Sequence, residues 1–178
     1  MSRLKISWLV LMCVLLVTVE AQASEYDVKK LRRLFEQSEK NEEVGEQFYE
    51  LMKDYEGNDP VILAYKAAAN AIEAKYSWAP WDKYKHIKRS SDLFNQAVSL
   101  DRNNTEVRFL RFTIETLTPH HLNMSTHLTE DKKFIMEQLR TYPNSGITPD
   151  TKPLVVNFML KHVELTQSER ALLYKLKS

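Results

Sequence analysis

The chain has 178 residues, with 25 lysines and arginines against 24 aspartates and glutamates, 43% hydrophobic residues and a single cysteine. That length suits one domain with a core of ordinary size. Balanced charge offers no basic stripe for nucleic acid, one cysteine gives no disulfide framework, and three glycines are too few for the common phosphate-cradling loops.

The first 23 residues read as an export signal. Arg3 and Lys5 precede an apolar run over residues 6–19, and Ala21-Gln22-Ala23 puts small residues at the positions a signal peptidase reads. The run is shorter than the roughly 20 residues a membrane-spanning helix needs, so cleavage is expected ahead of retention as an anchor. Cys13 lies in this run behind Met12, which does not fit a lipoprotein signal. The expected mature protein, residues 24–178, is exported to the periplasm or secreted, carries no cysteine and has no net charge once Arg3, Lys5 and Glu20 are gone.

Apolar residues then recur at steps of three and four: Val28, Leu31, Leu34 and Phe35, followed by Val44, Phe48, Leu51, Met52 and Tyr55. Each set falls on one helix face. Gly57 is expected to end the second helix, and Asn58-Asp59-Pro60 to open a third with a capping side chain ahead of a proline whose missing N–H is harmless there. The third helix is expected to run to about Tyr76. Its Ala67-Ala68-Ala69-Asn70-Ala71 is small on every side, which admits close neighbours on more than one face and marks it as central.

After a break at Trp78-Ala79-Pro80-Trp81, the positions Tyr84, Ile87, Ser91, Phe94 and Val98 predict a fourth helix ending near Leu100. Asn103 with Glu106 forms a candidate capping box for a fifth, whose buried stripe is Val107, Leu110, Ile114 and Leu117 and which stops at Pro119. Residues 119–128 read as loop. Thr129 is expected to cap a sixth helix through Phe134, Ile135 and Leu139, ended by Pro143 and Gly146. Asp150 is expected to start a seventh with Pro153 in its first turn, and Thr166 with Glu169 to box the last, which carries Leu172, Leu173 and Leu176. About eight short helices with short links predict an all-α fold of stacked antiparallel helix pairs.

Ser90, Phe94 and Ala97, followed by Leu100-Asp101-Arg102-Asn103-Asn104, resemble the second helix and exit turn of a tetratricopeptide repeat, in which a small residue, an aromatic and an alanine recur at this spacing. Ala68 matches the small position of the first helix. The match covers residues 60–117, with Arg102 where the family has proline and Phe112 where the next repeat has a small residue. The resemblance implies a right-handed superhelix that binds proteins or peptides in its groove, and it implies no catalysis.

Tyr76, Trp78, Trp81 and Tyr84 gather aromatics around the stiff Pro80 in the segment that interrupts the repeat. Such residues are what binding hot spots are made of, and they are the candidate partner-binding residues; the competing reading is that the tryptophans plug an end of the helix stack. His120, His121 and His127, ahead of Glu130 and Asp131, supply the residue types of a zinc site, but their spacing matches no standard metal motif, and solvated loop histidines are the preferred reading.

Glu42, Glu43, Glu46 and Glu50 lie on the polar side of an amphipathic helix and make no catalytic pair. Ser90 and Ser91 lack the flanking glycines of a nucleophile elbow, and His162 suits the dipole at its helix end. Lys29, Lys30, Arg32 and Arg33 are offset by Glu36, Glu39, Glu42 and Glu43. Asn103-Asn104-Thr105 and Asn123-Met124-Ser125 fit the glycosylation pattern.

No catalytic constellation and no cofactor motif emerges. The expected function is that of an exported helical-repeat scaffold recognising a protein or peptide partner. The alternatives are a metal-dependent envelope hydrolase built on the 120–131 loop and a signal-anchored structural protein.

Overall fold

The computed structural model describes residues 26–119, 122 and 125–177. Among them are eight helices and no strand: α1 (Val28–Ser38), α2 (Glu42–Lys53), α3 (Pro60–Tyr76), α4 (Pro80–Leu100), α5 (Thr105–Leu117), α6 (Leu128–Thr141), α7 (Lys152–His162) and α8 (Gln167–Lys177). The all-α fold read from the sequence is the fold observed. The expected signal, residues 1–23, lies outside the described residues. No helix among the described residues is long and apolar enough to cross a membrane.

Short links fold consecutive helices onto one another, so α1 packs on α2, α3 on α4, α5 on α6 and α7 on α8. The odd helices also touch in series, α1 to α3, α3 to α5 and α5 to α7. Helix α3 is the hub, contacting α1, α2, α4 and α5. Its small residues explain this: Ala64, Ala67, Ala68 and Ala69 are fully buried, so helices approach from several sides. Gly45 in α2 serves the same closeness, since a Cβ there would sit 2.9 Å from the Ile72 side chain.

Two buried clusters result. The first joins Leu31, Phe48, Met52, Tyr65, Phe94 and Val107 with the α3 alanines. The second joins Phe112, Ile135, Met136, Leu139, Val155, Met159 and Leu173. Helix α5 serves both, through Val107 and Leu110 on one face and Phe112 on another.

Several helix ends differ from the sequence expectations. Helix α2 stops at Lys53, short of Gly57, because Tyr55 has other work: its hydroxyl accepts the Asp59 N–H at 3.0 Å and its carbonyl accepts the Lys66 amine at 2.5 Å. Helix α4 begins at Pro80, a residue that needs no N–H acceptor in a first turn. Trp81 and Tyr84 therefore stand on the helix, Tyr76 ends α3, and Trp78 alone of the four aromatics lies in the link.

Asn104, one residue later than Asn103, caps α5 by accepting the Val107 N–H at 3.2 Å. Glu106 closes no capping box, being held by Arg32 and Tyr65. Helix α6 starts at Leu128 without Thr129 as its cap; a carboxylate of α5, Glu115, accepts the His127 N–H at 2.8 Å. Helix α7 is preceded by Thr151 instead of Asp150. The box at α8 does form, with the Thr166 N–H given to Glu169 at 2.9 Å and the Glu169 N–H given to the Thr166 hydroxyl at 3.3 Å.

Candidate functional site

A half-enclosed groove of about 670 Å³ opens on one side of the described residues, within the few hundred to about a thousand cubic ångströms of typical ligand clefts. Its walls come from the odd helices: Phe35 of α1, Ile72 and Ala74 of α3, Phe109, Leu110 and Ile114 of α5, and Leu154 and Phe158 of α7. The start of α4 adds Lys83 and Ile87, while α2, α6 and α8 line none of it. The serial contact of α1, α3, α5 and α7 builds one continuous concave wall. An apolar wall left partly open is the uncommon feature here, since apolar surface is normally driven into a core.

At one side of the groove Arg32, Glu106 and Tyr65 form a compact ionic knot. Arg32 donates to both Glu106 oxygens, at 2.9 and 3.0 Å from the same nitrogen, and the Tyr65 hydroxyl donates to Glu106 Oε1 at 2.6 Å. Burial, then the Glu106 charge, pushes the Tyr65 hydroxyl far above its ordinary range, so it stays a neutral donor. Burial opposes the Arg32 charge, but Glu106 outweighs it and the guanidinium titrates higher than usual. Burial also raises the nearby Glu36 carboxyl, with Arg32 partly opposing. The knot ties α1, α3 and α5 together and uses up the groove's Glu106, while Lys83 and Lys161 on its rim have no ion-pair partner among the described residues.

A second ionic centre lies behind the groove, between α5 and α6. Asp131 is fully buried and receives Arg111 through two bonds, at 2.7 and 2.8 Å, with Arg108 Nε also 2.7 Å from it. Arg108 reaches out to Glu130 at 2.6 Å and lies over the Phe134 ring. That hydrogen bond holds the Glu130 carboxyl below its usual range. Arg108, Arg111 and Asp131 touch no groove surface, so this centre is structural in placement.

The aromatic residues singled out in the sequence divide. Tyr76 is a strut: its hydroxyl donates to the Ser38 carbonyl at 2.8 Å, closing the end of α1. Trp78 and Trp81 are 97% and 76% exposed, so neither plugs the stack, and Tyr84 is 44% exposed. Trp81 and Tyr84 rings lie 6.3 Å apart and line a shallower cleft of about 530 Å³ with Tyr49, Lys66, His86 and Arg89. None of the four aromatics lines the main groove.

His120 and His121 lie outside the described residues. His127 is held by Glu115, with Nδ1 2.7 Å from the carboxylate. Among the described residues no three His, Cys, Asp or Glu side chains converge on a common point. His162 stacks on Phe158 with ring centroids 4.9 Å apart, on the groove wall. Ser90 is buried as a small packing residue, and Glu42, Glu43, Glu46 and Glu50 face solvent.

Sequence reasoning placed the candidate binding residues around Trp78 and Trp81, away from the wall of this groove. The sequence did show α5 to be apolar on more than one face, since Phe109 and Phe112 add positions beyond the single stripe of Val107, Leu110, Ile114 and Leu117. A helix with apolar residues on more than one face serves more than one neighbour. Comparison with protein-family models, curated proteins and solved structures gives no match to this chain.

Proposed function

We propose that the protein is an exported helical-repeat scaffold, residues 24–178 after loss of the signal, that holds an apolar segment of a protein or peptide partner in the groove. The observation that carries this reading is the groove wall, built in series from α1, α3, α5 and α7 with apolar side chains left open to solvent. Four helices in serial contact offer an extended surface, and an extended surface suits a chain segment. The tetratricopeptide-like arrangement, with a right-handed superhelix and odd helices inside, belongs to the same reading and is supported by the alternation of lining and non-lining helices. The periplasm or the exterior is the compartment, on the strength of Arg3, Lys5, the 6–19 apolar run and Ala21-Gln22-Ala23.

The test is site-specific photocrosslinking in the cells that make the protein. A photoreactive residue replacing Ile87 or Leu154, both on the groove, is expected to trap a discrete partner, while the same residue at Gln47 or Glu137, exposed on α2 and α6, is expected to trap none. Equal trapping from both sets, or none from the groove, overturns the assignment. A Phe109→Glu variant is expected to abolish the crosslink from Ile87 by putting a charge into the apolar wall.

A further inference from the structure

The start of α4 is the longest unbroken exposed run among the described residues. Residues 80–85 are exposed without exception, so the first turn and a half of α4 keeps its side chains largely in solvent, with Lys83 at the groove rim and Trp81 and Tyr84 beside the shallower cleft. It carries Trp81 and Tyr84, and Trp78 precedes it at 97% exposure. Two indoles left in water are a standing cost of apolar hydration that folding did not remove. Charge is also segregated here: residues 75–89 hold Lys75, Lys83, Lys85, Lys88 and Arg89 against Asp82 alone, while the rest of the chain is acidic on balance. Lys83, Lys85 and Arg89 have no ion-pair partner among the described residues, and Lys88 has only a long contact of 3.7 Å to Asp92.

The geometry points to this aromatic and basic helix end as a docking surface for an anionic lipid bilayer. Indole rings bury their faces at the acyl boundary while the N–H remains among headgroups, and lysine and arginine stems extend to phosphates. The patch is an exposed turn and helix end, which a soft, fluid surface accommodates without a matched pocket. Its aromatic residues line none of the groove, which the patch adjoins through Lys75 and Lys83.

Of the three tryptophans, Trp8 precedes Ser24, so the chain beginning at Ser24, which contains both buried clusters whole, reports on this patch alone by its fluorescence. That chain is mixed with vesicles of phosphatidylcholine alone or with added phosphatidylglycerol. Expected are cosedimentation and a blue-shifted tryptophan emission with the anionic vesicles at low salt, both fading as salt rises, and neither with the neutral ones. Lys83→Gln and Lys85→Gln should each cut the partition by about fivefold, and Trp78→Ala with Trp81→Ala should reduce it further, circular dichroism showing the helices intact. The proposal is overturned by no binding to anionic vesicles at low salt, by equal binding to neutral ones, or by lysine variants that bind as the parent does. It is equally overturned if soluble polyglutamate shifts the emission and vesicles do not, which would assign the patch to an acidic protein.

Discussion

The two buried clusters are built on different principles. In the N-terminal half, α3 reaches four neighbours because its centre is nearly all alanine, and closeness is gained by the absence of side chains. In the C-terminal half the core is filled by larger side chains, Phe112, Ile135, Met136 and Met159, and between α5 and α6 lies the fully buried Asp131 with two arginines. The first half is therefore vulnerable to added volume and the second to removed charge. Helix α5, which contributes to both, carries the coupling between them.

The largest effect is expected from Asp131→Ala. It strands Arg108 and Arg111 without their shared buried carboxylate, a loss of about 3–5 kcal/mol for a broken buried pair. Urea denaturation of the variant should show a transition shifted far to lower denaturant, and a transition at the parent's midpoint would mean that the centre is unimportant.

Overpacking should rank second. Ala68→Leu puts three extra carbons at a site with no exposure, and about 1–3 kcal/mol of destabilisation is expected. Hydrogen exchange should then accelerate in α1–α4 more than in α6–α8; uniform acceleration would show that the halves open as one unit.

Next comes the start of α8, where Thr166→Ala removes a cap worth about 1 kcal/mol, measurable as a lowered melting temperature. The same box gives a pH dependence. The Thr166 N–H and Lys132 hold the Glu169 carboxyl below its usual range, as Arg108 holds that of Glu130. A depressed folded-state carboxyl contributes stability that is fully present above the unfolded value and lost as the pH falls through the folded one. Stability should therefore decline on acidification below about pH 4.5, and Glu169→Gln should flatten part of that decline.

The smallest effect belongs to the exposed aromatics. Trp78→Ala and Trp81→Ala should each move stability by no more than about 0.5 kcal/mol, because both side chains are mostly in solvent. A larger loss in thermal denaturation would return them to the core and remove their standing as surface residues.

Periodicity and capping chemistry alone gave the helical class, eight helix positions and the central place of the alanine-rich helix. These are local properties, set by 3.6-residue spacing, by proline at a first turn and by the volume of side chains within one segment. Boundaries went astray wherever a distant group took over a local role. Glu106 looked like half of a capping box but joins Arg32, 74 residues away, and Tyr65. The start of α6 looked like the work of Thr129 but is served by Glu115 from the preceding helix. The four aromatics looked like one site, and the structure separates them into a strut, Tyr76, and an exposed group around Trp78 and Trp81.

The amino-acid sequence by itself determined which segments are helices and which of their faces are apolar, because both follow from neighbours a few residues apart. Tertiary structure alone decided where those apolar faces close into cores and where they stay open. Phe109, Phe112 and Phe158 are all apolar helix residues; Phe112 is 2% exposed in the second cluster, while Phe109 and Phe158 line the groove. That difference depends on how α1, α3, α5 and α7 are set side by side, and no spacing within a single helix encodes it.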